Sequence, residues 1–423
     1  MKPNRLSFAL AALLSVSTLS ADTITQWLDA AHKAPNQQLS NLTLDSAHIQ
    51  SDAAIAVLYP KLTLMGSFEH FNAPTSLRPV TPTEMQQGGA YPFSQTITSA
   101  GGTLSMPLFV KTLLTNTEKA KENITSAQLK HQITTAERDA VLIASNAKLT
   151  YLENLDLALQ AKEHSLTETR KTIEIKTKNG RAAEIELIKI DEQLNQTILK
   201  RQEVETMRLD LQKSLSTLTA LRIERSVPMS LIHEPSGSEY LSTKEKSQNI
   251  KITDLATRAA QESLYPALTT NASYFYRQGD AYNNGESVSR NYGSVALNLT
   301  MPLFDKERLS AIELSRLENL KAKTALNQTM LEMNNSASAL EEQYKILQQS
   351  RILSEKSVVN YEELLKTARV AYATQRLTQE EYLRYEESLV NAKASLHALD
   401  ATLWQNIAQR AAMIGKDFKE IVQ

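Results

Sequence analysis

The chain of 423 residues contains no cysteine. It therefore has no disulfides, no thiol chemistry and no N-terminal cysteine for a lipid anchor. Glycine and proline are scarce, at 11 and 12 residues, and eight of each fall in two windows, 60–107 and 266–302. Outside those windows the chain is nearly free of helix breakers. An excess of one charge is also lacking. Lys plus Arg number 46 against 47 Asp plus Glu, so no net field attracts nucleic acid or an acidic substrate. Aromatic residues make up only 6 %, and with abundant Ala, Leu, Glu, Lys and Gln the composition fits long exposed helices better than one compact core. Nothing after residue 21 approaches 18 continuous apolar residues, so no transmembrane helix is expected.

Catalytic patterns are lacking as well. The seven histidines (His32, His48, His70, His131, His164, His233 and His397) are scattered, and none stands at metal-ligand spacing from another. There is no phosphate loop, nucleophile elbow or dinucleotide turn. Gly101-Gly102 sits in a strand-like stretch and reads as strand packing or a bend rather than a ligand loop. No catalytic residue, metal or cofactor is expected.

What is present begins with an export signal over residues 1–21. Lys2 and Arg5 make a basic start, Leu6 to Val16 is apolar, and Thr18-Leu19-Ser20-Ala21 supplies small residues for cleavage. The mature chain is then written twice. Met106-Pro107-Leu108-Phe109 returns as Met301-Pro302-Leu303-Phe304, and Leu58-Tyr59-Pro60-Lys61-Leu62-Thr63 returns as Leu264-Tyr265-Pro266-Ala267-Leu268-Thr269. Gly180 stands 71 positions after Phe109, and Gln375 stands 71 after Phe304, with neither Gly nor Pro between. Such self-similarity marks an internal duplication. It divides the chain into a first repeat over 22–225, a linker over 226–242 holding Pro228, Pro235 and Gly237, and a second repeat over 243–423.

Each repeat changes period inside its Pro/Gly window. Leu62, Leu64 and Phe68 alternate with Thr63, Ser67 and Glu69, and Ala100, Gly102, Leu104 and Met106 with Ser99, Thr103 and Ser105. In the second repeat Leu268, Ala272, Tyr274 and Tyr276 oppose Thr269, Asn271 and Ser273, while Val295, Leu297, Leu299 and Met301 oppose Ser294, Asn298 and Thr300. This alternation predicts strand pairs at about 62–106 and 268–301, each with one oily and one wet side. Between them, residues 72–95 and 277–291 read as non-helical loops. Pro60, Pro107, Pro266 and Pro302 mark the junctions of strands with helices.

Helices are predicted over 22–32 and 36–58, with Pro35 between them. Leu152, Leu159, Leu166 and Ile173 recur every seven residues in the first long run, the heptad of a coiled coil. A helix of about 70 residues, roughly 105 Å long, leads to a turn at Gly180. A return helix over 182–223, with Leu211, Leu215 and Leu218 as its buried stripe, runs back antiparallel. In the second repeat helices are expected over 244–264, 306–374 and 377–413, with the turn near Gln375. Four strands cannot close a barrel, and open edges are not tolerated in lipid, so a membrane span requires several copies to pool their strands. A trimer supplies twelve.

The export signal, the duplicated Leu-Tyr-Pro-x-Leu element, the Met-Pro-Leu-Phe junction and the Gly180 turn together resemble the TolC-type outer membrane efflux proteins, over essentially the whole mature chain. The resemblance implies an α+β membrane protein, a homotrimer with a twelve-stranded β-barrel in the outer-membrane lipid and a helical barrel of long hairpins in the periplasm. It implies a channel-tunnel of efflux or type I secretion, docked to a periplasmic adaptor and an inner-membrane pump and gated at the hairpin tips. Carried onto this sequence, it places the tips at Gly180-Arg181 and Gln375-Arg376, with Gln375 where the family favours Gly. Tyr372 matches a tyrosine common near the gate. Glu186 and Glu381 stand six residues beyond the two turns, and in some members the second position is an Asp of an acidic entrance ring. Here Arg384 occupies a place where a further acid is expected. A simple i,i+3 pair between Glu381 and Arg384 is the competing reading, as are dipole partners for Arg181 and Arg376. A periplasmic adaptor or a coiled-coil structural protein without a pore would also carry long hairpins, but neither needs detergent or duplicated strand pairs.

Overall fold

The structure, a computed structural model, describes residues 23–86 and 89–423; the expected export signal lies outside the described residues. The first repeat's elements are α1 (Ile24–Lys33), α2 (Pro35–Ala56), β1 (Lys61–Ser76), α3 (Pro82–Gln86), β2 (Phe93–Phe109), α4 (Lys111–Lys178) and α5 (Glu184–Thr219). They are followed by α6 (Leu241–Glu262), β3 (Ala267–Asp280), β4 (Ser287–Thr300), α7 (Lys306–Ala373), α8 (Gln379–Ile414) and α9 (Phe418–Ile421). Corresponding helices match in length: 22 residues in α2 and α6, 68 in α4 and α7, and 36 in α5 and α8.

Several boundaries differ from the sequence reading, each for a local reason. Pro35 opens α2 at its first position, where a missing N–H is harmless. β1 does not stop near residue 71 but continues through Pro74 to Ser76. It can do so because β1 is an edge strand and its register shifts between His70 and Thr75, so no ladder bond is demanded of the proline. The intervening loop is thus shorter than residues 72–95, and it contains the short helix α3. Glu84 accepts from the Thr81 amide at 3.0 Å and caps that helix. Pro107 lies within the last residues of β2, at a second register shift, rather than beyond the strand. α5 ends at Thr219, four residues before its expected limit, with Ala220 after it in the left-handed region (φ 56°).

The chain forms two compact units. One, built from Leu44–Gln128 and Lys246–Leu326, holds a four-stranded antiparallel sheet in the order β1-β2-β3-β4. Its register aligns Leu62, Leu104, Ala272 and Val295 across all four strands, and Thr63, Thr103, Ser273 and Ser294 in a row on the other face. Cross-strand hydroxyl pairs tie that polar face, Ser67 to Ser99 at 2.7 Å and Ser273 to Ser294 at 2.9 Å. Gly101 is required there. A Cβ would stand 2.3 Å from the Tyr274 carbonyl and 2.4 Å from the Phe275 ring that covers it. On the apolar face Leu62, Leu64, Phe68, Val295, Leu297 and Leu299 are 68–81 % exposed. At the loop end Leu77, Ile97, Ala281 and Val288 form a small buried cluster. Asn283 joins the two loops, accepting from the Tyr91 amide at 2.9 Å and donating to the Gly89 carbonyl at 2.8 Å.

Among the described residues the other unit holds 23–43 with Leu129–Glu245 and Asn327–Gln423. Its main core gathers Ile24, Trp27 and Leu28 of α1, Leu142, Ile143 and Leu149 of α4, Ile407 and Ala411 of α8, and Phe418 and Ile421 of α9. Each large side chain fully buried here contributes about 1.5–3 kcal/mol. The C-terminus closes this core by a short bridge. Ser230 and Gln423 exchange backbone bonds at 2.9 and 3.0 Å, and the Ile232 amide reaches the Ile421 carbonyl at 2.8 Å. The heptad residues Leu152, Leu159, Leu166 and Ile173 are buried as expected, and Ile190, Thr197 and Val204 answer them on α5 at the same spacing. Leu215 is buried, whereas Leu211 and Leu218 are only half-buried.

His32 on α1 meets the buried Asp139 of α4 at 2.9 Å. That hydrogen bond, opposed by burial, raises the imidazole pKa above its ordinary 6.5. Protonated His32 therefore stabilises the docking of α1 fully below pH 6.5, and the contribution is lost as pH rises through the raised value. The gap in thermal midpoint between the native chain and His32→Gln should be widest near about pH 5 and close toward about pH 9. A gap that does not change with pH would contradict the charged pair.

Candidate functional site at the hairpin turns

The two turns are built alike. At the end of α4, Gly180 has φ +67°, its amide reaches the Thr177 carbonyl at 2.9 Å, and Arg181 reaches back to Lys176 at 2.8 Å. At the end of α7, Gln375 has φ +60°, with its amide on Tyr372 at 3.0 Å and Arg376 on Ala371 at 2.8 Å. Both are Schellman caps, in which a left-handed residue folds two amides onto the last turn's free carbonyls. Gln375 thus adopts the conformation a glycine would, at a steric cost of about 1–2 kcal/mol. Arg181 and Arg376 are exposed and form no ion pair among the described residues.

The helices leaving the turns start differently. α5 begins after Ala183, with no side-chain cap. α8 begins with a capping box: the Glu381 amide donates to the Thr378 hydroxyl at 3.3 Å, while the Glu381 carboxylate accepts from the Thr378 amide at 3.0 Å and hydroxyl at 2.6 Å. Those bonds hold the carboxyl below its usual range, with the Arg384 charge acting at longer range. Glu381 is thus committed to its own helix start rather than bonded to Arg384.

Behind the turns, Tyr372 of α7 stacks on Tyr382 of α8 with ring centroids 5.1 Å apart and planes 15° apart. The Lys176 ammonium lies 6.0 Å from the Tyr372 ring centre. Burial raises the Tyr372 pKa, and the Glu186 charge adds to the rise. Tyr372 is half-buried in this stack and Glu381 half-buried in its cap, while Glu186 and Arg384 are exposed. The Tyr382 hydroxyl donates to Glu386 at 2.7 Å, and Ser165 of α4 donates to the same oxygen at 2.5 Å. Glu386 is 7 % exposed, and its second oxygen is buried with no hydrogen-bond partner among the described residues. These residues border a cleft of about 690 Å³, with Lys162, His164, Glu168 and Arg369 at its edge. Sequence reasoning missed Ser165, Tyr382 and Glu386. The i,i+4 spacing of Tyr382 and Glu386 is readable, but Ser165 lies 221 positions from Glu386. Among the described residues no group of three or more His, Asp or Glu is placed to hold a metal, and no helix is long and apolar enough to cross a membrane.

Long antiparallel helical hairpins and a four-stranded antiparallel sheet make up a fold also seen in solved bacterial outer-membrane channels. Solved structures with this fold include the CmeC outer membrane channel of Campylobacter jejuni, at 15 % identity over 93 % of this chain and 85 % of that one, with a TM-score of 0.80. The outer membrane protein VceC of Vibrio cholerae is also 15 % identical, over 93 % and 96 % of the two chains, with a TM-score of 0.75. The open state of the MtrE outer membrane channel of Neisseria gonorrhoeae is 14 % identical over 94 % and 90 %, with a TM-score of 0.75. No model of a known protein family and no curated protein sequence matches the chain. The resemblance read from the sequence is borne out as a fold.

Replacing Gln375 with glycine relieves the left-handed strain and should stabilise the second turn by about 1 kcal/mol. Gly180→Ala should destabilise the first by a similar amount. Chemical denaturation of the helical unit reads both, and equal effects of one sign would refute the shared geometry. Thr378→Ala should lose about 1 kcal/mol at the α8 cap and return the Glu381 carboxyl toward its ordinary pKa, measurable by NMR titration.

Proposed function

We propose that the chain is the outer-membrane component of a tripartite efflux or type I secretion system, a homotrimeric channel-tunnel gated at the hairpin turns. The carrying observation is the sheet. One face presents Leu62, Leu64, Phe68, Val295, Leu297 and Leu299 almost fully exposed, the other is polar, and both β1 and β4 are open edges. Water does not favour such a face, and lipid does not favour such edges. Pooling the sheets of three copies into a twelve-stranded barrel resolves both conflicts, with the apolar face toward outer-membrane lipid and the polar face lining a lumen. Exposed Leu331, Ile346, Leu353 and Val359 on α7 supply further apolar surface for neighbouring copies in a helical barrel.

In this reading the matched helix lengths and matched caps come from an internal duplication. The hairpin tips, Gly180-Arg181 and Gln375-Arg376, meet a periplasmic adaptor that connects an inner-membrane pump. Tyr372 with Glu186 forms the inner latch of the gate, and Glu381 with Arg384 lines its entrance. The periplasm holds the helical part.

Detergent-purified protein should have the mass of three chains and insert into planar bilayers as a small conductance. Glu381→Gln should reduce cation selectivity by roughly twofold or more if the entrance carries that charge. Conductance with unchanged selectivity removes Glu381 from the gate and leaves the channel standing. A monomer soluble without detergent, giving no conductance, would overturn the channel.

A further inference from the structure

The polar face of the sheet carries a feature that neither a packing role nor a bare pore explains. Arg277 of β3 and Arg290 of β4 are direct partners in the antiparallel register, in one row with Ser67 and Ser99. Like charges directly opposite each other on a sheet are destabilising. Arg277 donates to the Leu77 carbonyl at 3.3 Å, Arg290 donates to the Ser289 carbonyl at 2.8 Å, and neither forms an ion pair among the described residues, although Arg290 acts on Glu84 at longer range. Arg78 adds a third guanidinium at this end. The nearby carboxylate, Glu84, is taken up by Arg78 and by the Thr81 amide and hydroxyl. Glu69, on the same face, is aligned with Ile97, two strands away from β3.

The adjoining row supplies a different chemistry. Phe275 and Tyr292 are direct partners, two residues from Arg277 and Arg290 and on the same side of the sheet. Both rings are half-exposed, and Phe275 is seated over Gly101 with the Arg277 guanidinium 5.8 Å from its ring centre. Two bidentate-capable guanidiniums without ion pairs among the described residues, beside two aromatic rings, match a ligand that has an anionic group and an apolar or aromatic body.

We propose that the loop end of the polar sheet face binds amphipathic organic anions, with Arg277 and Arg290 on the anionic group and Phe275 and Tyr292 on the body. The assignment rests on the channel reading for its setting, since pooling three sheets turns the pair into a ring of guanidiniums lining the lumen. The site then concentrates such anions on their way through the barrel.

The test is calorimetric titration of the detergent-purified full chain with naphthalene-2-sulfonate at low salt, beside bilayer conductance of the same preparation. Arg277→Gln with Arg290→Gln should weaken binding about tenfold or more, whereas the double Lys replacement, which keeps the charge, should lose less. Phe275→Ala should weaken naphthalene-2-sulfonate but leave sulfate binding unchanged. Equal binding by native chain and double Gln variant, with thermal stability intact in both, would overturn the site, as would sulfate binding as tightly as the aryl sulfonate. Binding that depends on both arginines in a preparation that never conducts would sustain the site and sink the channel reading instead.

Discussion

The rest of the structure depends on one conflict: a sheet whose oily face is exposed and whose two edge strands have unpaired backbone groups. In water the exposed Leu62, Leu64, Phe68, Val295, Leu297 and Leu299 favour association. In lipid the oily face is satisfied, but every unpaired N–H and C=O at the edges of β1 and β4 costs several kcal/mol. In the proposed channel, closure with further strands satisfies both demands. The edge status of β1 also explains why Pro74 is tolerated inside it.

The helical unit follows a different logic. Its heptad stripe buries Leu152, Leu159, Leu166 and Ile173, while hydrogen-bonded ion pairs such as Arg201 with Asp156 and Glu163 decorate the half-exposed flanks. Such pairs contribute up to about 1 kcal/mol each and select register more than stability. At the turns the packing becomes specific: two Schellman caps, one capping box and a stacked tyrosine pair leave little freedom to the last two helical turns. A strained Gln375 at one turn beside a relaxed Gly180 at the other makes the two hairpins unequal in local stability.

Periodic features were legible because their physics is local. The Pro/Gly windows, the two-residue alternation and the heptad of Leu152, Leu159, Leu166 and Ile173 each follow from nearest-neighbour constraints. Errors came where tertiary position overrides local preference. Pro74 reads as a strand end until β1 is known to be an edge, and α3 hides in a loop rich in proline. The bond from Thr378 to Glu381 was also not legible, because a capping box and an exposed charge use the same residue and only the Thr378 geometry distinguishes them.

By itself the sequence determined where the long helices and the strand pairs lie and which face of each strand is oily, since these depend on side chains a few positions apart. Tertiary structure alone decided what stands opposite what. The register that sets Arg277 against Arg290 and Phe275 against Tyr292 links separate strands. The stack of Tyr372 on Tyr382 and the closure of Glu386 by Ser165 link residues on different helices. Partners across a sheet or between helices leave no periodic trace in a single chain, because their spacing along it is set by the elements in between rather than by the contact itself.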